Sequence, residues 1–408
     1  MNVENFDDPY RLLIVTPIPV QRDDKGYSTL DLWVRDLEAQ RQIVASLCVV
    51  APLGVAEGSL RKIPDGITIV PADSVVSPAQ IGELVSQYDV IQVFARSRRQ
   101  SSTSLSFARA ARDEGRCLIM GISSNRVQTT ILNARGKSWP RRLKANVVAR
   151  SICSTQKRVA RMADGVFLCG HGLVDMVDTD GLNVHVDVAS WIREHEVIDD
   201  ESYEIKMRRA SEAPTLSACV ATRLEPMKGV QLAIEALRTL REHLGTRAPS
   251  LVILGSGPEQ RALEELVEKH GLGEGVQFRG TFAYPDPFFA EIRRYDVMLL
   301  TNLNVEQPRI IFDALSQGLL PVCPDSTPYQ ALKLDKRIMY RRGDALALAE
   351  VIANLDRREL LTELMSQMRQ LVRRFTVDSM HLRRAAWVAG TLRQIAGPSE
   401  AETSRRDY

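Results

Sequence analysis

The sequence predicts an α/β chain built from two doubly wound, Rossmann-like domains in series. Two observations predict it: short apolar runs recur along the chain, and most are separated by stretches with helical spacing. A third is length, since 408 residues exceed what one ordinary core fills. Strands this apolar along their whole length belong to parallel sheets covered by helices on both faces.

The elements follow in order. "RLLIVTP" (11–17) reads as a strand and "YSTLDLWVRDLEAQ" as the helix after it. "ASLCVVAPL", "GITIVPAD", "DVIQVFA", "CLIMGIS" and "GVFLCG" continue the alternation and give a first domain over 1–195. From Val188 to Pro214 the chain turns charged and poor in aliphatic residues, which reads as an interdomain connection. Alternation restarts at "LSACVAT" and runs through "SLVILGSG", "GVQFRGT", "DVMLLTN" and "LLPVCPD", a second domain over 205–375. Helical spacing dominates afterwards, with a helix over about 376–396 as a candidate to pack back on the first domain. The polar tail 397–408 is expected to be disordered.

Composition narrows the function. Hydrophobic residues make up 44% and charged residues 25%, with a net charge of +2, so the overall balance does not point to nucleic acid. The start "MNVENFDDPYR" is acidic and lacks the apolar core of a signal peptide, and no apolar run is long enough to span a bilayer. Six cysteines without a CxxC pair read as buried and reduced, which fits the cytosol, and six scattered histidines offer no ligand spacing. No metal is expected. The expected location is cytoplasmic, with peripheral attachment to the cytoplasmic face of a membrane as an option.

Three motifs carry chemistry. In "TRLEPMKGV", Arg223 and Lys228 lie in a strand-to-helix loop stiffened by Pro226, and two cations beside a helix start suit a diphosphate whose charge they neutralise. In "ILGSGPEQ", Gly255 and Gly257 allow a tight turn before a proline-started helix. The pattern is not GxGxxG and lacks the acid that would hold a dinucleotide ribose, which disfavours a dehydrogenase. In "EQPRIIFDALSQG", Pro308 fits a first helical turn, and the backbone around Arg309 and Ile310 is placed to meet an anion or a sugar oxygen. Asp313 follows on the same helix, pointing back towards its start, where a carboxylate takes hydroxyl hydrogen bonds from a ribose. Taken singly, each has a structural reading: a solvated loop, an ordinary α/β turn, and acids favoured by a helix N-terminus.

In this order, within one domain, the three resemble the C-terminal domain of GT-B glycosyltransferases of family 4. That family carries a GR…KG loop, a GxGP strand end, an FxG strand and an ExxxxxxxE segment running into "EAxAxGxPV". Here stand Arg223 and Lys228, Gly255 to Pro258, "VQFRGT", "YDVMLLT" and "FDALSQGLLPV". The resemblance implies a GT-B architecture, two Rossmann-like domains facing across a cleft. It implies a retaining transfer of sugar from a nucleoside-diphosphate donor to a hydroxyl acceptor. By it, Arg223 and Lys228 bind the diphosphate, Asp313 holds the ribose, and Glu306 contacts the donor sugar. The backbone at Gln307, Pro308, Arg309 and Ile310 faces sugar and phosphate, and Gly280 and Thr281 lie near the base. No cofactor beyond the donor is implied.

Departures are specific. The family spaces its two glutamates eight residues apart, whereas Glu306 and Asp313 are seven apart, so strict alignment places Val305 at the first position. The second acid is aspartate, one methylene shorter. The Gly-Gly pair usual after the first strand is replaced by "TPIPVQRDDKGYST", where Gly26 is the candidate donor-side glycine. In place of the usual acceptor-side histidine stands "GISSNR", with Ser123, Ser124 and Asn125 able to bind hydroxyls, while His171 reads as a loop residue.

No acid occurs between Glu114 and Asp164, a span rich in arginine and lysine. Its "SWPRRLKANVVARSICSTQKRVARM" interleaves cations with Trp139, Leu143, Val147, Ile152 and Val159, and Arg96, Arg98 and Arg99 stand upstream. Such a face reads as simply solvated, as resting on anionic lipid, or as gripping an anionic acceptor; a nucleic-acid reading is weakened by the near-neutral total and the lack of a binding motif. The expected activity is therefore glycosyl transfer in polysaccharide or glycoconjugate biosynthesis, onto a hydroxyl acceptor, with an anionic or lipid-linked glycan as an option. The alternatives are a GT-B nucleotide-sugar-binding protein with reduced or no transferase activity, and an epimerase of the same architecture.

Overall fold

The structure, a computed structural model, describes residues 9–24, 26–56, 58–95, 101–176, 180–306 and 308–396. Gln307, Arg96, Arg98, Arg99 and the tail 397–408 lie outside the described residues. The chain divides into two compact units, one of residues 1–130, 137–191 and 377–408, the other of residues 131–136 and 192–376.

The first unit is built on a seven-stranded parallel sheet. Its strands are β1 (Arg11–Val15), β4 (Ser46–Ala51), β6 (Ile67–Pro71), β7 (Val90–Phe94), β8 (Cys117–Ile122), β9 (Gly165–Cys169) and β10 (Val184–Asp187). They lie in the order β10-β9-β8-β7-β1-β4-β6. Strand periodicity explains two cores: Leu13 and Val15 pack with Phe107, Leu118 and Val159 on one face, and Leu12 and Ile14 with Leu37 and Val49 on the other. The last helix, Val377–Ala396, sets Leu382, Ala385 and Val388 into that second core.

A small antiparallel sheet takes two of its strands from the stretch between β1 and the first helix. It joins β2 (Gln21–Asp23), β3 (Gly26–Leu30) and β5 (Leu60–Lys62) in the order β2-β3-β5. The residues "YSTL", read from sequence as the start of a helix, are strand β3, and the helix begins only at Asp31. Paired backbone outweighs the helical spacing here: Tyr27 faces Arg22 and Ser28 faces both Gln21 and Lys62, while the Thr29 hydroxyl donates to the Pro19 carbonyl at 2.9 Å.

The second unit holds β11 (Ser217–Ala221), β12 (Ser250–Leu254), β13 (Val276–Gly280), β14 (Val297–Leu299), β15 (Leu320–Pro324) and β16 (Met339–Tyr340). All pair in parallel in the order β13-β12-β11-β14-β15-β16. Numbered from its own first strand, this is the 3-2-1-4-5-6 order of a doubly wound sheet. The direction in which successive strands are added reverses between β11 and β14, and ligands of such sheets bind outside the carboxyl ends at that point.

The stretch expected as a connection between domains is instead part of the second unit from residue 192. It contains the helix Asp200–Glu212, capped by the Asp199 side chain, which accepts from the Ser202 amide at 2.8 Å. Only Tyr203, Lys206 and Ala210 are buried, a stripe three to four residues apart. So narrow a stripe leaves the sequence looking polar throughout. The Lys206 amine reaches into the unit and donates to the carbonyls of Arg293 and Tyr295 at 2.9 and 2.5 Å.

Candidate functional site

The loops after β11 and β14 flank the switch point of the second sheet, and they are tied together. After β11, Pro226–Lys228 form one short 3-10 turn ending at Gly229, whose φ is +62°. After β14, the Thr301 hydroxyl donates to the Lys228 carbonyl at 2.8 Å, and the Leu303 amide to the Met227 carbonyl at 2.9 Å. A Cβ on Gly229 would lie 2.4 Å from the Thr301 carbonyl oxygen, so the approach requires glycine.

This stitching brings Lys228 and Glu306 into one electrostatic environment. Burial lowers the Lys228 pKa from its ordinary value, Glu306 and Glu225 oppose that shift, and Arg223 adds to it. Lys228 is half-buried, whereas the Arg223 side chain is 78% exposed and stands 4.0 Å from Glu225. Two cations and two carboxylates thus converge at the strand ends, one cation anchored and one reaching into solvent.

The glycine turn after β12 closes the next edge. Gly255 has φ +131°, and a Cβ there would meet the Thr222 carbonyl oxygen at 1.9 Å; on Gly257 it would meet that of Leu224 at 2.4 Å. Backbone bonds from Leu224 to Ser256 and from Glu259 to Leu224, both 3.0 Å, lock this turn against the Arg223 loop. Gly255 also donates to the Gly280 carbonyl at 2.6 Å, which joins the end of β13 to the same group. Gly280 takes a left-handed φ of +67°, and Thr281 beyond it is exposed.

Asp313, on the helix Ile310–Ser316, is joined to the loop after β13. The helix starts two residues after Pro308, and its first bonds run from Ile311 to Pro308 and from Phe312 to Arg309. Arg309 and Ile310 therefore stand ahead of the first intrahelical bond. Asp313 is only 7% exposed, and its Oδ1 accepts from the Tyr284 hydroxyl at 3.1 Å. That excludes the reading of Asp313 as a merely exposed helix acid. Gln307 lies outside the described residues.

Several contributors were not singled out in the sequence. Glu225, inside the first motif, and Tyr284 are two. A buried polar run, Thr301, Asn302 and Asn304, is a third, with Asn302 donating to Asn304 at 3.3 Å and accepting from Tyr329 at 3.4 Å. Its signal in the sequence is "TNLN" directly after an apolar strand, where burial is certain and polarity needs a reason.

Gly26 belongs to the first unit, in β3 with φ +120°. Of the candidates after β8, Asn125 spends its side-chain oxygen capping the helix Arg126–Leu132, accepting from the Gln128 amide at 2.9 Å. His171 opens the 3-10 turn His171–Met176 after β9.

The basic segment expected over 126–161 forms two helices, Arg126–Leu132 and the longer Trp139–Ala160. Its apolar residues divide between two faces, which the sequence spacing did not separate. Ile152 and Val159 are buried, whereas Trp139, Leu143 and Val147 are 72%, 49% and 58% exposed. On the outward side the helix continues into an open groove of about 620 Å³ lined by Arg150, Cys153, Ser154, Lys157, Arg158, Arg161 and Met162. None of its four cations has an acidic partner within 4.0 Å among the described residues.

Residues 216–357 match the family described as Glycosyl transferases group 1. Anabaena HepE, solved with UDP, superposes with a TM-score of 0.63 at 15% identity, covering 93% of this chain and 100% of that one. Sucrose-phosphate synthase from Thermosynechococcus elongatus gives 0.61 at 13%, covering 93% and 98%. WaaG, a glycosyltransferase involved in lipopolysaccharide biosynthesis, gives 0.58 at 13%, covering 92% and 98%. Comparison with curated proteins finds no match. At such identities the structures show a shared fold, and the family match shows the domain. The chain therefore carries a group 1 glycosyltransferase domain on a GT-B fold.

Proposed function

We propose that the protein is a retaining glycosyltransferase that moves a sugar from a nucleoside-diphosphate sugar to a hydroxyl acceptor, anionic or lipid-linked. The observation that carries this reading is the convergence of Lys228 and Glu306 on the two loops at the switch point. Arg223 and Lys228 take the diphosphate, Asp313 the ribose, Gly280 and Thr281 the base. Glu306 and the backbone from Gln307 to Ile310 take the sugar.

In a front-side displacement the bond between anomeric carbon and phosphate oxygen breaks while the acceptor oxygen bonds to the same face of that carbon. The acceptor's proton passes to the departing phosphate oxygen, so no separate protein base is needed. The protein contributes position and charge: Lys228 and Arg223 stabilise the negative charge that builds on the leaving diphosphate. These cations do the work a metal does elsewhere, and the reading requires none.

The exposed face of the helix Trp139–Ala160 supports an acceptor at an anionic membrane surface. Trp139, Leu143 and Val147 suit the headgroup boundary, and the cations of the adjoining groove suit phosphate headgroups. No helix among the described residues is long and apolar enough to cross a membrane. One observation favours the second reading, a nucleotide-sugar binder without transfer: Val305, not Glu306, stands eight residues before Asp313.

Titration with UDP, GDP, ADP and TDP tests the donor site, with UDP first because the similar HepE is solved with it. Binding of none overturns the reading of Arg223, Lys228 and Asp313. Turnover of the matching nucleotide sugars then separates transferase from binder. Sedimentation with anionic vesicles at low salt, lost at high salt, tests the membrane surface.

A further inference from the structure

We propose that Tyr284 is a positioning residue for the donor ribose, holding the Asp313 carboxylate in the orientation that receives the ribose hydroxyls. The inference rests on the donor-site reading above. It starts from a hydrogen bond between two residues that no motif joins: the Tyr284 hydroxyl donates to Asp313 Oδ1 at 3.1 Å.

Both partners are held from behind. Asp313 sits on the buried helix Ile310–Ser316, where its neighbours Phe312 and Ala314 are 1% and 0% exposed. Tyr284 lies four residues beyond Gly280, on the loop that the Gly255 amide ties to the glycine turn. Its ring meets Phe289 edge to face, with centroids 5.2 Å apart and planes at 74°, and Phe289 is itself buried. Phe288 flanks it at 6.1 Å. The hydroxyl therefore reaches the carboxylate from a braced aromatic group.

A short carboxylate gives that bond a purpose. Rotation of an aspartate carboxylate about its last torsion is broad and roughly two-fold, so burial alone does not choose an orientation. A buried carboxylate also needs donors to replace lost water. A phenol supplies one charge-assisted bond and fixes the plane. A carboxylate has about four acceptor positions, so one phenol leaves capacity for a ribose diol. The shorter reach of aspartate makes its orientation matter more, because it has one torsion fewer with which to find the ligand.

The test separates ribose recognition from packing. Affinities of UDP, ADP and GDP are measured beside their 2′,3′-dideoxy counterparts for wild type, Tyr284→Phe, Asp313→Glu and the double variant. Tyr284→Phe keeps the ring against Phe289 and removes only the hydroxyl. It is expected to weaken the preferred ribonucleotide about tenfold and leave its dideoxy counterpart unchanged. In the Asp313→Glu background, where the side chain gains its own reach, the same change is expected to cost less than threefold. Should Tyr284→Phe fold poorly, Tyr284→Leu, which also lacks the hydroxyl, takes its place in the same comparison, with the same selective loss of ribonucleotide over dideoxy affinity expected. Equal loss for ribo and dideoxy ligands, or no loss for either, overturns the inference while leaving the donor site intact. Binding of no nucleoside diphosphate by wild type overturns the donor-site reading itself.

Discussion

The two units begin alike and then differ in one loop. Each opens with a parallel strand at the centre of a sheet of the same winding, β1 in the first and β11 in the second. After β11 nine residues, 222–230, turn directly into the next helix and carry Arg223 and Lys228. After β1 fifteen residues, 16–30, precede the helix, and they form two strands of an antiparallel sheet. Shared topology provides the position at the strand ends, and loop length decides what chemistry is placed there. The compact loop fits against its neighbours so closely that glycine is required at three points, and it brings a lysine and a glutamate together.

The largest effect that would break this comparison is on turnover. Lys228→Ala should lower transfer by on the order of 10²–10³-fold, as loss of a charge at a developing leaving group does. Unchanged steady-state turnover with donor and acceptor would remove Lys228 from its role.

Next in size is stability. Gly255→Ala places a Cβ against a backbone carbonyl at 1.9 Å and at φ +131°, so a cost of about 3 kcal/mol or more is expected. Gly26→Ala, at φ +120° with only a lysine carbon at 3.6 Å, should cost about 1–2 kcal/mol. Denaturant unfolding of both variants measures the contrast, and equal costs would mean that the second loop is no tighter than the first.

The smallest expected effect is on pH dependence. Lys228 has its pKa lowered, chiefly by burial, from 10.5. Its cationic form is present at low pH and lost as pH rises through that lowered value, so diphosphate affinity should fall on the basic side before a free lysine would titrate. Lys228→Arg, which stays charged, should move that limb upward. Affinity measured across the basic range checks the direction.

The α/β alternation was legible in the sequence because buried parallel strands are short apolar runs and their covering helices keep a 3.6-residue period. The order of Arg223, Lys228, the glycine turn and Asp313 was legible because strand-end positions follow one another along the chain. The helix Asp200–Glu212 was missed because three buried residues among charges look like a linker, and strand β3 because its pairing with β5, some thirty residues on, is not recorded in local spacing. Tyr284 and the buried asparagines needed tertiary structure for the same reason: each acts through a neighbour distant in the chain or through burial, neither of which local spacing records. The sequence by itself determined which chemistry could be assembled. Packing of four strand-end loops decided which side chains meet, because hydrogen bonds such as Tyr284 to Asp313 join residues 29 positions apart.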